Sequence, residues 1–158
     1  MSDNFGSRIA VVVPCHNEEA TIASVVTAFA KALPTAMVFV YDNASTDNTS
    51  SVAREAGAIV RTEPVLGKGS VVRRMFADVE ADVYVMADGD GTYDAAMAPV
   101  LVDRLIDEGL DMVIGTRRGV MVDAGRRGHA VGNRLFNTLY RLLFASSSAD
   151  LFSGYRVF

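Results

Sequence analysis

Asp88-Gly89-Asp90 closes the apolar run Val83-Tyr84-Val85-Met86-Ala87, so two carboxylates stand one residue apart at the end of a predicted strand. In open α/β sheets the carboxyl ends of the strands are where ligands bind. Paired oxygen ligands there suit Mg²⁺ or Mn²⁺, which take one or two carboxylates and complete their shell with substrate phosphates. The expected chemistry is a divalent ion held by Asp88 and Asp90 against a diphosphate. A plain polar turn with a capping Asp has the same local sequence, so the other polar segments decide between the two.

Four such segments follow predicted strands or open predicted helices: Pro14-Cys15-His16-Asn17-Glu18, Asp42-Asn43-Ala44-Ser45-Thr46-Asp47, Gly67-Lys68-Gly69 and Gly115-Thr116-Arg117-Arg118. With Asp88-Gly89-Asp90 they make one rim, which describes a site for a charged, polyfunctional ligand. Asp42 is placed to accept hydrogen bonds from a ribose or a base. Lys68, between glycines at a helix start, is placed to meet a phosphate; the alternative is a surface lysine on a loose turn. Asp47 reads as a helix cap, His16 as a rim residue rather than a catalytic base, and Cys15 as a small buried residue.

The elements that must position these residues are legible from apolar spacing. Strands are predicted over Ile9–Val13, Met37–Tyr41, Ala58–Arg61, Val83–Ala87 and Met112–Gly115, and another begins at Gly154–Phe158. Helices are predicted over Glu18–Leu33, from Thr46 or Asp47 to Glu55, over Gly67–Val79, over Ala95–Glu108 with Asp94 as cap, and over Ala124–Ala145. The strands are short and apolar without alternation, so they are buried on both faces. The fold class is α/β, a three-layer α/β/α sandwich on a mostly parallel, Rossmann-like nucleotide-binding sheet.

Composition is consistent with one such domain over residues 1–158. The chain has 158 residues, 50% hydrophobic and 22% charged, with net charge −4. The single cysteine excludes an intramolecular disulfide, and Met1–Ser7 lacks the apolar stretch of a secretory signal, which together suggest the cytoplasm. Residues 112–158 carry seven arginines against two acidic residues, whereas the chain as a whole is acidic. That asymmetry points to anionic groups near the second part of the chain, phosphates or a membrane surface. In the last predicted helix Arg127, Arg134 and Arg141 recur every seven residues, with Val131, Leu135, Leu139 and Leu142 on another face. Such a helix either packs on the sheet or docks on the cytoplasmic face of an anionic bilayer. Nucleic acid is not among the expected partners.

In order along the chain, Val11-Val12-Val13-Pro14-Cys15-His16-Asn17-Glu18-Glu19, Asp42-Asn43-Ala44-Ser45-Thr46-Asp47, Gly67-Lys68-Gly69, Asp88-Gly89-Asp90-Gly91-Thr92-Tyr93 and Asp150-Leu151-Phe152-Ser153-Gly154-Tyr155-Arg156 resemble the motifs of the family 2 glycosyltransferases, which have the GT-A fold. Within that family the string looks like the polyprenyl- or dolichyl-phosphate sugar transferases. The resemblance implies a metal-dependent, inverting transfer of a sugar from a UDP- or GDP-linked donor to a polyprenyl phosphate. It implies that Pro14, His16, Glu18, Asp42 and Lys68 border the donor nucleotide and that Asp88 and Asp90 hold Mg²⁺ or Mn²⁺ against the diphosphate. Arg117, and Arg126 or Arg127, would meet donor or acceptor phosphates. A lipid phosphate is already anionic and needs no general base; a hydroxyl acceptor would, and Asp150 is then the candidate. His16 stands where the family often has Tyr, and Asn43 where it often has a second Asp, which leaves the base and the sugar open.

Other readings are weaker. Asp88-Gly89-Asp90-Gly91-Thr92 also resembles the nucleophile motif of haloacid-dehalogenase-type phosphatases, but those need a later lysine, and Lys31 and Lys68 both lie upstream. A nucleotidyltransferase would need a Gly-rich phosphate loop near the N-terminus, and Pro14–Glu19 contains no Gly. The family's domain continues beyond Ser153-Gly154-Tyr155-Arg156, so the C-terminal part of that domain is expected to be absent. A fragment that binds donor without turnover is therefore the second expectation. The edge of the last strand is expected to be open to pairing in a homodimer.

Overall fold

The computed structural model describes residues 7–115 and 153–158. Six strands, β1 (Ile9–Cys15), β2 (Met37–Asp42), β3 (Ile59–Thr62), β4 (Val83–Met86), β5 (Val113–Ile114) and β6 (Arg156–Val157), form one sheet in the order β3-β2-β1-β4-β6-β5. Four α-helices, α1 (Ile22–Ala32), α2 (Thr49–Glu55), α3 (Lys68–Asp78) and α4 (Ala98–Asp107), connect them. β1, β2, β3 and β4 are parallel, with Val12 beside both Phe39 and Met86.

Alternation along β1 builds a core on each face. Val11, Val13 and Cys15 pack with Ile22, Val25, Val26 and Phe29 of α1, Ala53 of α2 and Val102 of α4. Ala10 and Val12 face the other way, with Phe39 and Tyr41, against Val71 and Met75 of α3. Each large apolar side chain removed from water in this way contributes about 1.5–3 kcal/mol. Helices therefore cover both faces, and the expected three-layer, mostly parallel architecture is observed.

Two details differ from the sequence reading. α1 starts at Ile22 rather than Glu18, because Glu18 is held in the rim. Its amide donates to Thr49 Oγ1 at 2.8 Å while its carbonyl accepts from Thr21 N and Ile22 N. The helix expected from Ala95 begins as a 3-10 turn, Ala95–Met97, capped as expected by Asp94, whose carboxylate accepts from Ala96 N at 2.9 Å. Pro99 lies in the first turn of α4, where its missing N–H costs nothing.

β6 corrects a further expectation. It runs antiparallel between β4 and β5, pairing Val157 with both Val85 and Val113. Both of its edges are used inside the sheet, so it offers no edge for a homodimer. The predicted helix Ala124–Ala145 lies outside the described residues. Among the described residues no helix is long and apolar enough to cross a membrane.

Candidate functional site

The chain runs from β1 outward to β3 and then returns to place β4 on the other side of β1. Such a reversal opens a crevice at the carboxyl ends of the two central strands. A cavity of about 310 Å³ lies there. Pro14, Cys15, His16 and Glu18 line it from the end of β1, Asn43 from the end of β2, Lys68 and Val71 from the start of α3, and Asp88 and Asp90 from the end of β4. A larger cavity, about 500 Å³, lies against the second half of α1 and residues 93–99, but half of its lining is alanine, with Lys31 and Asp94 as its charged groups, and the clustered carboxylates lie in the first.

Glycine makes the carboxylate arrangement possible. A Cβ on Gly89 would run into the carboxylate of Glu18 and sit 3.1 Å from Cys15 Cβ. The Gly89 carbonyl accepts from Thr21 Oγ1 at 2.7 Å, which ties the loop to the start of α1. Asp88 bonds Lys68 Nζ through Oδ1. Asp90 is exposed and uses Oδ1 to accept from Thr92 N at 3.0 Å and Thr92 Oγ1 at 2.7 Å.

Glu18 completes an acidic trio. Its Oε2 is buried without a hydrogen-bond partner. Burial, then the Asp90 and Asp88 carboxylates, push its carboxyl up to about 7, with Lys68 and His16 opposing. Among the described residues no three metal-ligating side chains close into a cage. An ion gripped by two carboxylates and completed by substrate oxygens needs no such cage, so Asp88 and Asp90 fit Mg²⁺ or Mn²⁺ with a diphosphate. The unpartnered Glu18 oxygen beside them adds to the negative field that a cation and a lysine would offset.

The rim beside the carboxylates is tightly determined. His16 Nδ1 lies 2.7 Å from the Asn43 carbonyl, and Asn17 Nδ2 lies 3.3 Å from His16 Nε2. A carbonyl only accepts, so Nδ1 carries the proton and Nε2 is the acceptor in the neutral ring. Asn17 Oδ1 accepts from Thr46 N at 2.8 Å, which agrees with its amide nitrogen facing the ring. Asn17 and Ala44 both adopt φ of 56°, the left-handed region, where the two rim loops turn back.

Of the expected site residues, the structure brings Pro14, His16, Glu18, Lys68, Asp88 and Asp90 together. Asp42, expected to border the nucleotide, is buried behind the rim and is not among the residues that line the cavity. Burial disfavours its charge, but hydrogen bonds from Ser45 and Ser50 win and hold its carboxyl below the usual range. Its place at the cavity is taken by Asn43. Asp47, expected as the helix cap, stands one residue before the observed cap, Asn48, and accepts from Thr49 N at 3.0 Å, the first residue of α2. Cys15 is buried as expected; burial, then nearby carboxylates, push its thiol upward, so it is no nucleophile. Arg117, Arg126, Arg127 and Asp150 lie outside the described residues.

Sequence reasoning did not assign site roles to Asn43 and Gly154. Gly154 abuts Asp88, and its amide donates to Tyr93 Oη at 2.6 Å. Its presence in the Ser153-Gly154-Tyr155-Arg156 motif was the available signal, but only the sheet order places it beside Asp88.

Comparison with known proteins agrees with this geometry. A Shigella flexneri protein, RfbJ, is 54% identical over 111 residues, covering 70% of this chain and 86% of its own length. A dolichyl-phosphate hexose transferase of Haloferax volcanii is 30% identical over 158 residues, covering 100% of this chain and 69% of its own. The crystal structure of glucosyl-3-phosphoglycerate synthase from Mycobacterium tuberculosis with Mn²⁺, UDP-glucose and phosphoglyceric acid superposes with a TM-score of 0.77 at 28% identity. That match covers 96% of this chain and 56% of the other, so the chain spans little more than half that enzyme's length. Residues 10–158 match the sequence family described as glycosyl transferase family 2, and the chain belongs to that family.

Proposed function

We propose that this chain binds a nucleotide-diphosphate sugar with Mg²⁺ or Mn²⁺ and transfers the sugar, with inversion, to a polyprenyl phosphate. The observation that carries the reading is the convergence of Glu18, Lys68, Asp88 and Asp90 on one cavity at the switch point of the sheet. The dolichyl-phosphate transferase among its relatives supports the acceptor, and the synthase with Mn²⁺ and UDP-glucose supports the donor and the ion. The donor is UDP- or GDP-linked.

The residues divide the work by position. Asp88 and Asp90 would hold the ion, which when bound would supply positive charge against the departing diphosphate. Lys68 sits at the first turn of α3, where its ammonium and the helix N-terminus both favour phosphate. Its ion pair with Asp88 is partly exposed, with side-chain exposures of 47% and 23%. Such pairs are worth about 0–1 kcal/mol, so exchanging it for contacts to a diphosphate and an ion is not opposed. Pro14 and His16 form the wall that the nucleoside meets. The acceptor phosphate attacks the anomeric carbon from the face opposite the leaving group, and being already anionic it requires no base. Arg117 and Arg127 are proposed to pair with phosphates during that step, and an acceptor hydroxyl would instead require Asp150. The lipid acceptor places the reaction at the cytoplasmic face of a membrane.

Calorimetric titration with UDP- and GDP-sugars, with and without Mn²⁺, tests the donor half; a turnover assay on a polyprenyl phosphate tests the acceptor half. Metal-dependent binding of one donor followed by transfer is the expected result. Binding without transfer would reduce the chain to a donor-binding unit, and no binding to any donor would overturn the reading.

A further inference from the structure

Asn43 is buried, 6% exposed, and every polar group it owns is engaged. Its Nδ2 donates to the carbonyls of Glu63 and Val65, both at 2.8 Å, and its Oδ1 accepts from Gly67 N at 2.8 Å. Its backbone N–H donates to the Cys15 carbonyl at 2.8 Å, and its own carbonyl accepts from His16 Nδ1. One residue thus joins the rim after β1 to the whole β3–α3 loop, residues 63–67, and Gly67 immediately precedes Lys68. Two carbonyls on one side and an N–H on the other admit only one orientation of the amide. Only an amide offers this combination, since a carboxylate has no donor and a hydroxyl has one.

We propose that Asn43 is a positioning residue that holds Lys68 over the diphosphate subsite by clamping the 63–67 loop to the His16 rim. The proposal rests on the donor-binding reading above. Among the described residues the other ties of the loop are at Glu63, which also pairs with Arg74 of α3 at 3.6 Å. Glu63 bonds Val65 N within the loop, and its own N–H meets the Asp42 carbonyl, which fixes the start of the loop but not Gly67. Gly67 has φ of 120°, so its backbone is not confined by a side chain, and among the described residues the bond to Asn43 Oδ1 is what ties it to the wall. Release of that bond loosens the residue that sets where α3 begins, and with it the backbone that aims Lys68 once a ligand displaces the pair with Asp88. The identity at this position is therefore chemical rather than steric. An Asp here would keep the Gly67 bond but turn a carboxylate toward two carbonyl oxygens.

A double-mutant cycle on UDP and GDP binding in Mn²⁺ tests this, using Asn43→Ala, Lys68→Ala and both together, with far-UV dichroism to verify the fold. Each single change is expected to weaken nucleoside diphosphate binding about tenfold, and the double variant hardly further, because both act through Lys68. A purely structural Asn43 would give additive losses, about a hundredfold in the double variant, and additivity overturns the proposal. Should Asn43→Ala lose its dichroism, Asn43→Ser runs the same cycle while retaining one donor and one acceptor. Amide exchange of Gly67, faster in either Asn43 variant and unchanged in Lys68→Ala, is the expected second signature; unchanged Gly67 exchange in the Asn43 variant also overturns it. Wild-type protein that binds neither UDP nor GDP overturns the donor reading itself, whereas binding with additive losses overturns the clamp alone.

Discussion

The backbone of Gly154 lies directly against the carboxylate of Asp88: a Cβ built on Gly154 would sit 2.7 Å from Asp88 Cγ. The loop before β6 and the loop after β4 are thus locked face to face, and Asp88 is packed against a residue 66 positions later in the chain. Contacts this close cannot absorb a methyl group, since real Cβ atoms do not approach carbon so nearly.

Gly154→Ala is therefore expected to displace Asp88 and to weaken Mn²⁺-dependent donor binding by roughly tenfold or more, the loss of about 1.4 kcal/mol or more. β6 is paired on both sides within the sheet, so some stability falls as well. Calorimetry of donor binding beside thermal unfolding separates the two effects. Unchanged donor affinity would show that Asp88 is not held by this contact.

Removing the carboxylate itself is the sharper test of the ion. Asp88→Ala is expected to abolish metal-dependent donor binding while far-UV dichroism stays native, because Asp88 is a rim residue and the change removes its ion pair with Lys68 and its packing on Gly154 but no bond of the sheet. Retained affinity in this variant would place the metal elsewhere.

Glu18 makes stability depend on pH. Its carboxyl is raised from 4.5 to about 7 by burial and by Asp90 and Asp88. A carboxyl raised by folding stabilises fully below its unfolded value and loses that contribution as pH rises through its folded value. The metal-free protein should therefore lose stability from this group between pH 4.5 and about 7. Glu18→Gln, neutral throughout, should remove that slope and be more stable than wild type at pH 8. The expected gain is about 1 kcal/mol, because Glu18 is only half-buried and solvent screens much of the shift. Urea denaturation of both proteins across this range checks it, and parallel pH profiles would refute the assignment.

Ala44 should accept a stabilising change. It holds φ of 56°, which an L side chain tolerates poorly and glycine does not resist. Ala44→Gly is expected to raise stability by about 0.5–1 kcal/mol, read as a Tm increase of a few degrees. A lowered Tm would mean that the alanine methyl packs usefully at the rim.

Cys15 lies against the cavity yet should be inert. Burial and the carboxylates of Glu18, Asp42 and Asp47 all disfavour its thiolate, and the thiolate is the reactive form. Iodoacetamide at pH 8 should modify the unfolded protein readily and the native protein hardly at all, which mass spectrometry measures directly.

Local patterning was enough for most of the architecture. The short unbroken apolar runs Ile9–Val13 and Val83–Ala87, bounded by polar turns, read as strands buried on both faces. The spacing of Ile22, Val25, Val26 and Phe29 could only be a helix with one apolar side. Polar residues at the ends of those runs were bound to meet at one rim, because parallel strands end together. Pro14, His16, Glu18, Lys68, Asp88 and Asp90 were legible for that reason. What the tertiary structure alone decided depends on contacts across long stretches of chain. The insertion of β6 between β4 and β5 closed the edge that the sequence left open and brought Gly154 onto Asp88. The withdrawal of Asp42 behind the rim, where Ser45 and Ser50 consume its oxygens, gave its place at the cavity to Asn43. Side-chain periodicity reports which face a residue occupies, a local property; which partner satisfies a buried carboxylate or amide is set by neighbours that sequence spacing does not encode.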